Sequence, residues 1–164
     1  MISIAKFTQN QWQEVAVIYK EGIDTKNATF RTEVPSWEEW NASHHQHSRF
    51  VAVEENKVVG WCAIAPVSKR FEYRGVAEVS VYVKQGVVGK GIGSLLMEAV
   101  IGSSENNGIW TLYSSLFPEN IGSEKLHVKY DFRKIGYREK IAQLDGVWRD
   151  TVLYERRSKK QQLL

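Results

Sequence analysis

The residues of this chain best suited to chemistry surround a glycine-rich segment near its middle. Gly86, Gly89, Gly91 and Gly93 follow an apolar, β-branched stretch and precede a stretch whose apolar residues have helical spacing. Glycines let the backbone approach a ligand closely. The N–H groups of such a loop, together with the positive end of the following helix, attract anions. The pattern predicts a phosphate-binding loop between a buried strand and a helix.

A carboxylate interrupts the apolar strand that precedes this loop. Glu78 stands three residues before Val81, and burial in such a strand would raise the pKa of its carboxyl group. A carboxylate with a raised pKa is suited to take a proton from a substrate. The alternative interpretation is a structural Glu at a sheet edge or in an ion pair.

The register of the glycines discriminates between known phosphate-binding loops. A Walker loop needs Ser or Thr after its Gly-Lys pair, whereas Gly91 follows Lys90 here. A dinucleotide-binding fingerprint needs glycine at its sixth position, where Ser94 or Leu96 stands in the two possible registers. Both assignments are therefore disfavoured.

Composition and charge indicate a globular protein. The chain has 164 residues, of which 43% are hydrophobic and 25% charged. We expect one domain at 1–157 and a frayed basic tail at 158–164. Because Lys and Arg are interspersed with Asp and Glu, nucleic-acid binding is not expected. No signal peptide or membrane span is apparent, so we expect a cytoplasmic protein that contacts no membrane.

Metal binding is not expected either. Cys62 is the single cysteine, which excludes an internal disulfide and a thiolate zinc site. His44, His45 and His47 fall on a predicted helix, where only His44 and His47 would share a face, and no acidic ligand lies at a matching step. We interpret them as surface histidines.

The pattern of elements predicts a mixed α/β fold, with a central sheet and helices on both of its faces. Capping boxes at Thr8 and Ser36 predict the starts of two helices. A helical crossover predicts that the strand at 110–115 lies parallel to the strand of Glu78. The predicted strands are 2–5, 50–54, 58–66, 76–83, 110–115, 134–144 and 148–156, and the predicted helices are 9–22, a helix from 37 that carries the three histidines, 95–103 and 118–132.

Residues 78–93 resemble the acyl-coenzyme A motif of the GCN5-related N-acetyltransferases, the GNAT family. The family signature is Arg or Gln, two residues of any type, Gly, one residue of any type, and then Gly or Ala. The corresponding segment here is Val88-Gly89-Lys90-Gly91-Ile92-Gly93, in which Val88 stands where the family usually has Arg or Gln. Residues 120–127 are similar to the family's downstream motif, which contacts the pantetheine arm. Asp131 stands where the family commonly has Gly. The resemblance spans nearly the whole chain. It implies the GNAT fold, N-acetyltransferase activity and acetyl-CoA as cosubstrate, without a metal.

The resemblance also implies roles for individual residues. Glu78 would be the general base, and a backbone N–H near Val81 would face the developing oxyanion. His127 would be the general acid or a second base, the alternative being a histidine on the helix surface. Acetyl-CoA would bind along the strand, the glycine loop and the downstream motif, at Val81, Tyr82, Val83, Gly89, Lys90, Gly91, Ile92, Gly93, Ser94, Asn120 and Ser123.

More narrowly, the segments 27–33, 73–74 and 145–150 resemble the phosphinothricin and methionine sulfoximine acetyltransferases. This implies direct attack by the amine of phosphinothricin, methionine sulfoximine or methionine sulfone, and a homodimer. Arg74 and Tyr73 are expected to bind a carboxylate. The alternatives are another amine (a polyamine, an antibiotic or a protein N-terminus) and a non-catalytic acyl-CoA sensor. The expected substrate contacts are Phe30, Glu33, Tyr73, Arg74, Val79 and Ser80.

Overall fold

The computed structural model describes residues 1–87 and 89–160, so the departure at Val88 and the end of the predicted tail, 161–164, lie outside the described residues. Short 3-10 turns occupy Gln9–Gln11 and Phe71–Tyr73. The strands are β1 (Ile2–Lys6), β2 (Phe50–Glu54), β3 (Lys57–Pro66), β4 (Val76–Val83), β5 (Thr111–Leu116), β6 (Arg133–Leu144) and β7 (Val147–Arg157). The helices are α1 (Trp12–Asp24), α2 (Trp37–Ser43), α3 (Ile92–Asn106) and α4 (Ile121–Lys129).

One sheet contains all of these strands, in the order β1-β2-β3-β4-β5-β7-β6. Its neighbouring strands pair antiparallel except β4 and β5, which are joined through α3 and pair parallel. The predicted crossover is therefore confirmed, and with it the mixed α/β class.

The core lies on both faces of the sheet because β3 is buried on both sides. Trp61 and Ala63 pack with α1 and α2 on one face, whereas Cys62 and Ile64 pack with α3 on the other. Successive side chains of a strand point to opposite faces, so this continuous apolar run serves two helical layers. The predicted placement of helices on both faces is confirmed.

The histidine segment differs from the prediction. Helix α2 ends at Ser43, and His44 already has extended backbone angles (φ −116°, ψ 154°). The His44 Nδ1 lies 2.7 Å from the Trp40 carbonyl oxygen, which satisfies an acceptor at the helix end. The prediction that α2 carries His44, His45 and His47 is therefore wrong.

Other boundaries shift by a few residues. α3 begins at Ile92 and not at 95, because Gly91 takes a left-handed conformation and precedes the first turn. Ser158 is buried, and its N–H donates to the Trp110 carbonyl oxygen at 2.8 Å, so packing continues into the first residue of the predicted tail. Across the described part of the chain, no helix has the length and apolarity needed to cross a membrane.

Candidate active site

The site is built where the two parallel strands separate. β4 and β5 pair only from Val76 with Thr111 to Glu78 with Tyr113. β4 continues to Val83, and on its other edge it stays paired with β3 from Ala77 to Val83. Beyond Glu78, the edge of β4 that faces β5 therefore has no strand partner among the described residues, and its peptide groups can accept an added extended ligand.

A cavity of about 1020 Å³ occupies this opening. Its wall joins parts of the chain that are far apart in sequence: β4, the glycine loop, the end of β5, α4 and the loop between α1 and α2. Of the residues predicted for the site, the lining includes Phe30, Glu78, Val79, Ser80, Val81, Tyr82, Val83, Gly89, Gly91, Ile92, Gly93, Ser94, Asn120, Ser123 and His127.

The glycine loop has the backbone that a phosphate cradle requires. Gly89 and Gly91 have φ values of +90° and +75°, which residues other than glycine rarely adopt. A Cβ atom built on either residue would meet no protein atom within 4 Å, so the space beside both is open. Gly91 directly precedes α3, whose first N–H groups carry the positive end of the helix dipole. These features fit the pyrophosphate of an acyl-coenzyme A.

Glu78 projects into the cavity, where its side chain meets solvent. The surrounding protein nevertheless displaces much of the bulk water, and this desolvation raises the carboxyl pKa. Burial raises the pKa of the Tyr19 and Tyr82 hydroxyls, which line the same cavity, and the negative charge of Glu78 adds to this rise. Within 1–87 and 89–160, no ion pair involves Glu78, and its strand is central in the sheet. The alternative of a structural Glu at an edge or in an ion pair is therefore wrong.

His127 is buried within α4, only 4% exposed, so the alternative of a helix-surface histidine is wrong. Its Nδ1 lies 2.7 Å from the Ser123 carbonyl oxygen, which can only accept, so Nδ1 carries the proton. Its Nε2 is buried and has no hydrogen-bond partner among the described atoms. Burial also lowers the imidazole pKa. A neutral ring with a free lone pair at Nε2 can accept a proton.

The end of α4 supports this ring. Asp131 has a φ of +67°, the left-handed conformation that glycine adopts most readily at a helix end. The Phe132 N–H donates to the His127 carbonyl oxygen at 3.1 Å, and the Phe132 ring stands edge-on to the imidazole at 4.8 Å. The helix therefore ends in the left-handed turn that glycine favours, even though Asp replaces it.

Asn120 connects α4 with the loop between α1 and α2. Its side-chain oxygen accepts the Ser123 N–H at 3.2 Å and so caps α4, while its amide donates to the Asn27 carbonyl oxygen at 3.2 Å. Both residues line the cavity beside the glycine loop. The downstream motif thus shapes the wall of the site and holds the neighbouring loop.

The loop between α1 and α2 is fixed over the cavity by contacts distant in sequence. The Phe30 ring stands edge-on to Phe117 at 4.9 Å. Arg149 of β7 donates to the Lys26 carbonyl oxygen at 2.7 Å and to the Asn27 side chain at 3.2 Å, and its guanidinium lies 4.0 Å from the Phe117 ring centre. The sequence gives no local signal for these contacts, which only the tertiary structure reveals.

Several predicted site residues do not line the cavity. The Lys90 ammonium is paired with Glu54 at 3.1 Å. Arg74 is held over the rings of Phe71 and Trp110, 4.2 and 5.2 Å from their centres. The residues outside the lining are Glu33, Tyr73, Arg74 and Lys90, and their contacts with ligand stay predictions. Conversely, Arg31 and His44 line the cavity although neither was predicted as a site residue.

Comparison with known proteins agrees with this geometry. The model of the acetyltransferase (GNAT) family matches residues 11–132, and the chain belongs to that family. The fold and the enzyme class expected from the sequence are therefore confirmed: the protein is a GNAT N-acetyltransferase that uses acetyl-CoA.

Its relatives include proteins named as phosphinothricin acetyltransferases. A Bacillus subtilis protein provisionally named phosphinothricin acetyltransferase YwnH is 35% identical over 82% of this chain and 85% of its own. The phosphinothricin N-acetyltransferase of Streptomyces coelicolor is 26% identical over 85% of this chain and 86% of its own. The crystal structure of a Sinorhizobium meliloti phosphinothricin acetyltransferase with acetyl-CoA superposes with a TM-score of 0.85 at 23% identity, covering 95% of this chain and 88% of that chain.

Proposed function

We propose that this enzyme acetylates the amine of a small amino acid, with Glu78 as the general base. The observation that carries the proposal is the separation of β4 and β5, which brings an unpaired strand edge, a glycine loop and a carboxylate with a raised pKa into one cavity. Those parts correspond to the needs of acetyl transfer: a held thioester, an anion cradle and a proton acceptor.

Acetyl-CoA supplies the acetyl group as a thioester. The backbone of Val81, Tyr82 and Val83 would pair with its pantetheine arm, and the segment 89–94 would hold its pyrophosphate. Asn120 and Ser123 line the same wall and can bond to the arm from α4. A free N–H near Val81 would stabilise negative charge on the thioester oxygen.

Glu78 is suited to the proton removal that makes an amine nucleophilic. Its raised carboxyl pKa, caused by burial, makes it a stronger base than an ordinary surface Glu. The amine nitrogen forms a bond to the acetyl carbon, and Glu78 receives the amine proton. The carbon–sulfur bond breaks with its electron pair on sulfur, so coenzyme A leaves as the thiolate and takes a proton from water. His127, neutral and with its lone pair at Nε2, fits the role of second base better than that of acid.

The substrate class is supported by the similarity of this chain to relatives named as phosphinothricin acetyltransferases. Phosphinothricin, methionine sulfoximine and methionine sulfone are the first candidates. Phe30, Val79 and Ser80 line the cavity beside Glu78 and can contact the substrate. Polyamines, antibiotics and protein N-termini are alternative amines that the same chemistry could serve.

A thiol-release assay with acetyl-CoA and a panel of amines tests the proposal. We expect coenzyme A release with at least one of the three amino acids, at a higher kcat/KM than with spermidine, an aminoglycoside or an N-terminal peptide. Mass spectrometry should find one acetyl group on the amine. Faster turnover of another amine class would contradict the amino-acid assignment, and binding of acetyl-CoA without turnover of any amine would favour a sensor.

We further propose the homodimer that the resemblance implies. The hairpin of β6 and β7 exposes apolar side chains that a second copy would cover, among them Ile135, Tyr137, Ile141, Val147 and Trp148. Light scattering coupled to size-exclusion chromatography should give twice the mass of one chain, and a Trp148→Glu variant should give the single-chain mass. The cytoplasmic location stays a prediction.

A further inference from the structure

Arg31 is a cation of the cavity wall that the sequence did not single out. It lies on the loop between α1 and α2, one residue after Phe30, and lines the cavity together with Glu78. Its N–H donates to the Thr29 hydroxyl at 3.1 Å, which orders the backbone of the loop beneath it. Within residues 1–87 and 89–160, its guanidinium has no ion pair, side-chain hydrogen bond or ring contact.

Arg31 and Glu78 line the same cavity as the Tyr19 and Tyr82 hydroxyls. Burial raises the pKa of both hydroxyls, the nearby positive charge of Arg31 opposes that rise, and the negative charge of Glu78 adds to it. The two tyrosine rings are 5.0 Å apart. A cation and a carboxylate thus act on the same pair of hydroxyls, in the part of the cavity where the amine must meet Glu78.

The other charged groups of the wall leave Arg31 as the cation of this part. Burial lowers the pKa of His44 to about 4, so its ring is uncharged at neutral pH. His127 is neutral for the same reason. Arg138 lines the cavity from β6, which β5 and β7 separate from the strand of Glu78. Arg74, which the sequence suggested for this role, lies over Trp110 outside the lining.

We propose that Arg31 binds the carboxylate of the amino-acid substrate and so orients its amine toward Glu78. A guanidinium can form two parallel hydrogen bonds with a carboxylate, which fixes orientation as well as position. An α-amino acid carries a cation and an anion, and Glu78 and Arg31 offer the opposite charges in one cavity. This inference rests on the proposed function and specifies how that site selects amino acids over simple amines.

The test compares methionine sulfone with its carboxamide, which keeps the amine and side chain but lacks the negative charge. In the wild type we expect kcat/KM to be at least about tenfold higher for the acid. Arg31→Gln should lower kcat/KM for the acid roughly 10- to 100-fold and leave the carboxamide rate unchanged, so that the preference disappears. Arg31→Lys should restore part of the preference because it keeps the charge but not the paired geometry.

Two further variants locate the effect. Arg133→Gln removes an exposed arginine of β6 that pairs with Glu155 outside the cavity, and it should leave both rates unchanged. Arg74→Gln tests the residue that the sequence suggested, and loss of the acid preference in this variant but not in Arg31→Gln would overturn the inference. The dissociation constant for acetyl-CoA should be the same in Arg31→Gln and the wild type, as expected for a contact with the amine substrate alone.

A binding experiment separates failure of this inference from failure of the proposed function. Calorimetric titration of N-acetyl-methionine sulfone into the complex with coenzyme A needs no turnover. At least tenfold weaker binding to Arg31→Gln supports the inference even if no amino acid is acetylated. Equal binding to both proteins overturns it while acetyl transfer stands. Acetylation of acid and carboxamide at equal rates by the wild type also overturns it.

Discussion

Glu78 lies opposite Tyr113 in the last register pair that joins β4 to β5. The catalytic carboxylate of the proposed mechanism is therefore at the point where the parallel strands separate. Upstream of it β4 is paired on both edges, and downstream the β4 edge that faces β5 is free for a ligand. This position lets one strand hold both the base and the backbone groups of the cosubstrate site.

The glycine loop can be tested at Gly91. Gly91→Ala would introduce a Cβ at a φ of +75°, in the space where the pyrophosphate is expected, and would strain the backbone by about 1–2 kcal/mol. We expect the dissociation constant for acetyl-CoA to rise at least about tenfold, measured by calorimetry, because the loop N–H groups would turn away from the phosphates.

Gly108→Ala is the matched control for that variant. Gly108 has a φ of +81° and equally open space around it, but it follows α3 at the end away from the glycine loop and does not line the cavity. The Gly108→Ala variant should have its free energy of unfolding lowered by a similar amount and should keep wild-type affinity for acetyl-CoA. Equal affinities in the two variants would show that the loop does not bind the phosphates.

Arg149 is predicted to be a positioning residue for the substrate loop. Arg149→Ala removes its bonds to the Lys26 carbonyl and the Asn27 side chain and its contact with Phe117. Since Phe30 and Arg31 lie on that loop, we expect KM for the amine to rise and kcat/KM to fall roughly 10- to 100-fold. Affinity for acetyl-CoA should change little, which steady-state kinetics with calorimetry would separate.

A general loss of stability would not produce that pattern. Arg133→Ala removes an exposed ion pair with Glu155 on the same hairpin, and its kinetics should match the wild type. Partial rescue by Arg149→Lys is expected, because Lys can still donate to one carbonyl oxygen. An unchanged KM in Arg149→Ala would contradict the role assigned to this side chain.

The lowered pKa of His44 predicts how the free energy of unfolding depends on pH. Its pKa is lowered to about 4 in the folded protein, chiefly by burial, against about 6.5 in the unfolded chain. Between pH 6.5 and 4 the unfolded chain binds the proton and the folded protein does not, so the free energy of unfolding falls as the pH falls, by at most about 1.4 kcal/mol per pH unit. Urea unfolding of His44→Gln should show a shallower slope in that range. A slope equal to the wild type would contradict the shift.

Much of the fold could be predicted because it depends on local pattern. The apolar, β-branched run at Val76–Val83 and the capping residues Thr8 and Ser36 specify a strand and two helix starts within a few residues. The glycine spacing predicted the loop before α3, and the crossover rule predicted the parallel pair. These signals act over short distances or follow from chain connectivity.

The contents of the site were less predictable because side chains meet there across long stretches of sequence. Arg149 and Asn27 are 122 residues apart, and no local pattern connects them. Arg74 precedes the strand of Glu78, yet its guanidinium lies over the Trp110 ring, outside the cavity. His44 lines the cavity from the residue after α2 ends, a position that the sequence pattern placed inside that helix.

The most direct test of the account is the rate of coenzyme A release by Glu78→Gln with acetyl-CoA and methionine sulfone. We predict that kcat falls roughly 10²- to 10⁴-fold while the affinity for acetyl-CoA stays at the wild-type value, because the variant keeps the shape of the strand but cannot accept the amine proton. Glu98→Gln, at an exposed position of α3 outside the cavity, should retain full activity. A Glu78→Gln enzyme that turns over at the wild-type rate would contradict the account.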